Sequence, residues 1–478
     1  MVGRKHELEE LNRLYDSGKA ELVAIYGRRR IGKTYLVDMA FQNRITFRHA
    51  GLSPVEEKGG LMKEQLQHFY FSLQLHGMEK SHRPESWLEA FFMLEKLLQE
   101  KDNGERQVIF LDELPWLDTP RSGFITAFEG FWNGWACHRP NVMVVVCGSA
   151  NSWILDRLIN NHGGLYDRVT YEIKLSPFTL RECREYLESR SVILSDYDIT
   201  QSYMILGGVP FYLGYFERGQ SLAQTVDRLF FRKNAKLKNE YDRLFESGFS
   251  NPDDMKTLVS FLARRNAGYT RKEIIEGLGI TDSGHLSKNL KALIASDFIV
   301  EYVPFGMGKK DIHYAVSDPF CRFCLKFVNE RDSLDEAFWQ QNATSPAIIS
   351  WRGFAFENVC FNHIDRIKQA LGISGVITRQ SAWSKRAEEK DDTGAQIDMI
   401  IDRRDNVVNM CEMKFTSSDF TVDKSYHSTL VNRQNLLSTI IPRKSVIHST
   451  LITTYGLTYN EYSGDFVNVL TLKDLFTE

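Results

Sequence analysis

The run Gly27-Arg28-Arg29-Arg30-Ile31-Gly32-Lys33-Thr34 carries the spacing G-x-x-x-x-G-K-[ST]. Its chemistry is phosphate binding. Glycines let the backbone wrap an anion closely, and amides at a helix N-terminus point at it. Lys33 then reaches the β- and γ-phosphates, and Thr34 is a ligand for Mg²⁺. A second group stands at Asp112-Glu113, where the apolar run Gln107-Val108-Ile109-Phe110-Leu111 ends in two carboxylates. Asp112 is expected to complete the Mg²⁺ shell and Glu113 to polarise the attacking water. A third apolar run, Asn141 to Cys147, ends at Gly148-Ser149, and a polar Ser149 there can feel the γ-phosphate. The implied cofactors are ATP and Mg²⁺.

Near the C-terminus lies a different set. Gln396 to Asp402 and Val407 to Lys414 read as a hairpin turning at Arg403-Arg404-Asp405-Asn406. Folding there brings Asp398 nearly opposite Glu412, and Lys414, two residues on, shares the face of Glu412. Two carboxylates at that range repel unless a cation sits between them. Glu357, on a helix expected over Ser350 to Asp365, could supply a third. Cation, activated water and Lys414 are the parts of metal-assisted phosphodiester hydrolysis. The bland alternative is an ordinary hairpin with one cross-strand ion pair.

The elements that position these groups follow from periodicity. Glu21 to Tyr26 reads as a buried strand feeding the glycine loop, with a helix beginning around Tyr35. Up to about residue 175, apolar strands alternate with helical patterns, the signature of a parallel α/β sheet. Residues 176–250 read as helical, an expected lid, with Gly207-Gly208-Val209-Pro210 between helices. Residues 251–317 read as three helices (Met255 to Arg264, Arg271 to Gly277, Ser283 to Ser296) and two strands (Phe298 to Val303, His313 to Val316). This is the order of a winged helix-turn-helix. Its third helix carries His285, Ser287, Lys288, Asn289 and Lys291, and the wing tip Lys309 and Lys310. These suit phosphates and base edges, so DNA is the expected partner, although winged helices also dock proteins. The remainder, 318–478, holds the carboxylate hairpin in an α/β domain.

Bulk numbers narrow the class. At 478 residues the chain suits several domains, and 43% hydrophobic with 25% charged residues is ordinary for a globular protein. A net charge of −3 excludes a globally basic nucleic-acid binder, so any such surface is local. Seven cysteines, mostly in apolar runs, favour reduced thiols and a cytoplasmic protein. Cys321-x-x-Cys324 reads as one face of a buried helix. The chain opens on a charged amphipathic helix, Arg4 to Tyr15, so neither a leader nor a membrane span is expected.

The whole chain resembles prokaryotic, archaeal-type ATPases related to AAA+ and STAND NTPases. These fuse a P-loop core, a helical lid, a winged helix and a C-terminal domain similar to PD-(D/E)xK nucleases. The residues carrying the resemblance are Val2 to Leu8, Gly27 to Thr34, Phe110 to Trp116, Leu165-Tyr166-Asp167-Arg168, Leu175 to Phe178, Gly207 to Pro210 and Ser317 to Phe320. The resemblance implies that Gly3-Arg4 lies by the adenine, that Gly208-Val209-Pro210 meets the nucleotide from the lid, and that Arg168 is an arginine sensor or finger. Ala395-Gln396 departs from the pattern, since an acidic residue or glycine is common there before the Ile-Asp pair.

The expected fold is therefore α/β, with a P-loop core over 1–175, a lid over 176–250, a winged helix over 251–317 and a nuclease-like domain over 318–478. The leading function is an ATPase coupling nucleotide state to DNA binding and metal-dependent cleavage, with a homo-oligomer allowed. The competing readings are a STAND-like switch that does not cut, and a DNA-binding regulator with an inert nuclease-like domain.

Overall fold

The computed structural model describes all residues except 1, 54–60, 150, 161–162, 250, 309, 330–334, 386–393 and 478. The chain forms two compact units. One comprises Met1–Pro177, Asp242–Met255 and His285–Asp297, and the other Phe178–Tyr241, Lys256–Gly284 and Phe298–Glu478. The division runs through the 251–317 segment.

In the first unit, β1 (Glu21–Tyr26), β2 (Ile45–Ala50), β3 (Gln107–Asp112), β4 (Val142–Gly148) and β5 (Tyr171–Lys174) form one sheet in the order β2-β3-β4-β1-β5. Every pairing is parallel. Parallel strands need crossovers, and the crossover helices cover both faces, so the inner strands β1, β3 and β4 read as nearly unbroken apolar runs. Leu22, Ala24, Ile109, Leu111, Val144 and Val146 pack on one side with the aromatic helices Leu61–Leu75, Trp87–Glu100 and Phe124–Gly134. Val23, Ile25, Phe110 and Val145 pack on the other with Leu11 and Leu14 of helix Lys5–Tyr15 and Leu36, Val37 and Phe41 of helix Lys33–Phe41. Because β3, β4 and β1 are adjacent and parallel, the loops leaving them open on one edge of the sheet, where ligands of such folds bind.

The second unit starts with helices. A capping box of Thr179 and Glu182 starts Leu180–Ser189. Asp196–Leu206 ends at Gly207 and Gly208, both left-handed at φ 68 and 67. Gly208 could not be another residue cheaply, because a Cβ there would sit 2.3 Å from the Phe178 carbonyl oxygen. Further on, β6 (Tyr269–Thr270), β7 (Ile299–Tyr302) and β8 (His313–Val316) make an antiparallel sheet in the order β6-β8-β7. The last sheet holds β9 (Thr378–Lys385), β10 (Ala395–Arg403), β11 (Val407–Lys414), β12 (Val446–Thr453) and β13 (Asn468–Leu470), ordered β13-β12-β11-β10-β9. The first three run antiparallel, and β12 and β13 join parallel. Helix Lys424–Ser438 makes the crossover from β11 to β12, laying Leu430 and Leu437 on Ile397, Ile400, Val408 and Met410. Cys321 and Cys324 are buried free thiols on one helical stretch, as expected from their surroundings.

Candidate functional site

The glycine loop joins β1 to helix Lys33–Phe41. Gly27 has φ 148, and a Cβ on it would lie 2.2 Å from the Leu175 carbonyl oxygen, so this position has no room for a side chain. Gly32 is left-handed at φ 90 and caps the helix. Lys33 is buried, and its Nζ donates to the carbonyls of Gly27 at 3.0 Å and Arg28 at 3.1 Å. Burial holds its pKa below the usual lysine value, opposed by the nearby charge of Glu113. Arg28 is buried, while Arg29, Arg30 and Ile31 continue the turn, with Arg30 left-handed at φ 71.

Thr34 Oγ1 donates to Asp112 Oδ2 at 2.8 Å, and Asp112 Oδ1 accepts from the Glu113 amide at 2.9 Å. The hydroxyl and carboxylate thus meet as joint Mg²⁺ ligands require, and this donor set fits that ion. Glu113 sits left-handed at φ 44 just past β3. Its carboxylate accepts from the Ser149 amide at 3.1 Å and from Ser149 Oγ at 3.1 Å. Ser149, expected to face phosphate, therefore holds the expected water-polarising group. Arg4 Nη2 donates to the Ser176 carbonyl at 2.6 Å and the Ile31 carbonyl at 3.4 Å, tying the start of the chain to the glycine loop. Gly3, beside it, is left-handed at φ 61. Arg168 is exposed, with no side-chain partner among the described residues. Pro210 opens the short helix Pro210–Leu213 in the second unit.

On helix Gly284–Ala295, Lys288 and Lys291 are exposed. Asn289 and His285 turn elsewhere. Asn289 is buried and accepts from Asn251 at 3.0 Å, and His285 pairs with Asp254 at 2.9 Å. Burial takes Asn289 out of the set expected to meet base edges, whereas His285 stays exposed at the surface. Lys310 is exposed, and Lys309 lies outside the described residues.

In the second unit the hairpin forms where expected. Met399 pairs with Cys411 and Ile400 with Met410, which puts Asp398 next in line opposite Glu412. Lys414 Nζ lies 3.7 Å from Asp398 and 3.5 Å from Glu412. Yet Glu412, fully buried, is bound by Arg433 and accepts a 2.7 Å bond from Tyr426, both on helix Lys424–Ser438. Asp398 Oδ2 accepts the Met413 amide at 2.9 Å. Glu357 carries no hydrogen bond or ion pair among the described residues. Its pKa is pushed up to about 8 by burial and by the Asp398 charge. Among the described residues no group of three or more His, Cys, Asp or Glu side chains is placed to hold a metal ion. The expected ligand set of Glu357, Asp398 and Glu412 is not assembled, because a guanidinium already neutralises Glu412. Arg433 and Tyr426 escaped the sequence reading. Their spacing of seven, one helical face, was the available signal.

All seven cysteines are free, and no helix among the described residues is long and apolar enough to cross a membrane. The chain is 25% identical over 395 residues, 82% of its length and 83% of the relative's, to an uncharacterized protein of Methanocaldococcus jannaschii. A 43-residue stretch is 49% identical to an uncharacterized ATP-binding protein of the same organism, covering 9% of this chain and 73% of that one. Among solved structures, a Walker-type ATPase of Pyrococcus abyssi aligns at TM-score 0.48 and 19% identity, covering 68% of this chain and 96% of that one. The ORC2 protein of Aeropyrum pernix aligns at 0.40 and 12%, covering 72% and 96%. Residues 1–216 match the family described as an ATPase domain predominantly from Archaea, and the chain carries an archaeal-type ATPase domain there.

Proposed function

We propose that this protein binds and hydrolyses ATP and couples its nucleotide state to DNA binding. The observation that carries the reading is the convergence of Lys33, Thr34, Asp112, Glu113 and Ser149 on one sheet edge, with Thr34 already bonded to Asp112. The loop amides and Lys33 take the β- and γ-phosphates. Thr34 and Asp112 would hold Mg²⁺, which neutralises developing charge on the phosphates. Glu113, once Ser149 turns to the γ-phosphate, is free to accept a proton from the attacking water. Gly3, Arg4 and, from the lid, Pro210 are proposed on the nucleoside side, and exposed Arg168 as the arginine sensor or finger, in this copy or a second one. Lys33→Ala should abolish tight ATP binding, and Glu113→Gln should trap bound ATP. Unchanged turnover in Glu113→Gln would remove Glu113 from the mechanism.

The DNA part rests on the helix–strand–helix–helix–strand–strand order of 252–316 and on exposed Lys288, Lys291 and Lys310. This order suits a winged helix placing a lysine-bearing helix along phosphates. The C-terminal order of helix, three strands, helix and strand supports a nuclease-like domain. For that domain the non-cutting, regulatory reading is favoured by the hold of Arg433 and Tyr426 on Glu412. The free thiols suit the cytoplasm. Plasmid DNA incubated with Mg²⁺ or Mn²⁺, with and without ATP, decides the point. Cutting that disappears in Asp398→Asn would replace the regulatory reading with a nuclease.

A further inference from the structure

Within the second unit, a cavity of about 310 Å³ opens between β7, β8, β9 and helix Pro346–Asn362. That volume is at the lower end of small-molecule sites, which run from roughly 300 to 1,000 Å³. Its walls combine apolar and aromatic surface from Val300, Tyr302, Phe354 and Phe361 with polar groups left without partners. Arg322 is anchored by Nε to the Val316 carbonyl at 2.8 Å and by Nη1 to Asn266 at 2.6 Å, which leaves Nη2 uncommitted. Asn358 Nδ2 is buried with no acceptor. The same lining carries two acidic side chains, Glu357 with no hydrogen bond among the described residues and Asp398, whose Oδ2 accepts the Met413 amide and lies 3.7 Å from Lys414 Nζ. A buried donor or acceptor without a partner costs about 1–3 kcal/mol, so this set is expected to serve a ligand.

We propose that this cavity binds a guanine base. Guanine presents acceptors at O6 and N7, which match an arginine and an amide donor, and adjacent N–H donors at N1 and N2, which match a carboxylate. Its flat faces suit the tyrosine and phenylalanine walls, the mode in which unpaired bases are captured by proteins. Adenine lacks the paired N–H donors, and thymine the amino group, so each would match fewer of the oxygens that Glu357 and Asp398 leave without a hydrogen bond. The base can arrive as a free guanine nucleotide or as an unpaired nucleotide of a DNA strand. Only the second source rests on the DNA reading above.

The test measures fluorescence anisotropy of labelled oligo-dT carrying one central dG, dA, dI or abasic position, with dGMP and dAMP as competitors. Binding of the dG strand should be roughly tenfold tighter than of dA or abasic strands, and dI should lose much of that preference because it lacks the N2 amino group. Val300→Trp, at a partly exposed wall position, should erase the preference while keeping the wild-type melting temperature. If no DNA binds but dGMP binds over dAMP and Val300→Trp abolishes it, the ligand is the free nucleotide and the DNA reading fails alone. If DNA binds equally with every base and dGMP does not compete, the cavity proposal is overturned and the DNA reading stands. A dG preference that survives Val300→Trp places the base elsewhere and also overturns it.

Discussion

Replacing Glu357 by Gln should stabilise the protein at high pH and leave it nearly unchanged at low pH. Burial, and after it the Asp398 charge, push the Glu357 pKa up from 4.5 to about 8, only partly opposed by Lys414 and Arg322. The sign follows from proton binding. Below about pH 4.5 both folded and unfolded chains hold the proton. Between 4.5 and 8 the unfolded chain releases it while the folded chain keeps it, so stability falls as pH rises. Above 8 that contribution is fully lost. At about 1.4 kcal/mol per pKa unit, the loss is on the order of 5 kcal/mol. Gln cannot ionise, so its variant escapes the fall. For a cooperative unit of this size the difference is roughly 5–10 °C in melting temperature at pH 8.5, shrinking toward zero at pH 5. The assay is thermal unfolding of both proteins across pH 5–8.5 in EDTA, which keeps stray divalent cations off the carboxylates. A difference that is flat with pH, or a Gln variant less stable at pH 8.5, would refute the assignment of a buried, under-compensated carboxyl.

Arg433→Ala should cost roughly 3–5 kcal/mol in urea unfolding, because Glu412 is fully buried and loses its main counter-charge; a loss below 1 kcal/mol would mean that Lys414 and Tyr426 suffice. Ser149→Ala removes the hydroxyl that holds Glu113, so single-turnover hydrolysis should change by more than ATP affinity does; a change in affinity with an unchanged rate would place Ser149 on the phosphate alone. Lys288→Ala with Lys291→Ala should weaken duplex binding and lower the salt slope by about one per lost phosphate contact; an unmoved slope would assign that helix to protein docking.

The nucleotide site was legible because its parts are local. A loop spacing and a carboxylate pair at a strand end each declare themselves within a few residues, and parallel strands can deliver them only to one edge. Three strands of that sheet were visible as apolar runs. β2 and β5, at the two edges, carry no such run: Ile45–Ala50 mixes Arg48 and His49 into its pattern, and Tyr171–Lys174 has only Ile173 buried. The hairpin and the register of Asp398 against Glu412 were likewise readable, since a short turn determines both. Which groups meet those carboxylates was not. Arg433 and Tyr426 arrive on a helix beyond β11, Arg322 from about 75 residues before Asp398, and the cavity between β7, β8, β9 and helix Pro346–Asn362 belongs to segments far apart in the chain. The hold of Ser149 on Glu113 spans 36 residues and depends on β3 and β4 lying side by side. Sequence by itself determined the chemistry that local spacing can encode. Tertiary structure decided which charges are neutralised and which are left bare, because compensation of a buried charge depends on whatever the fold packs against it, whatever its distance along the chain.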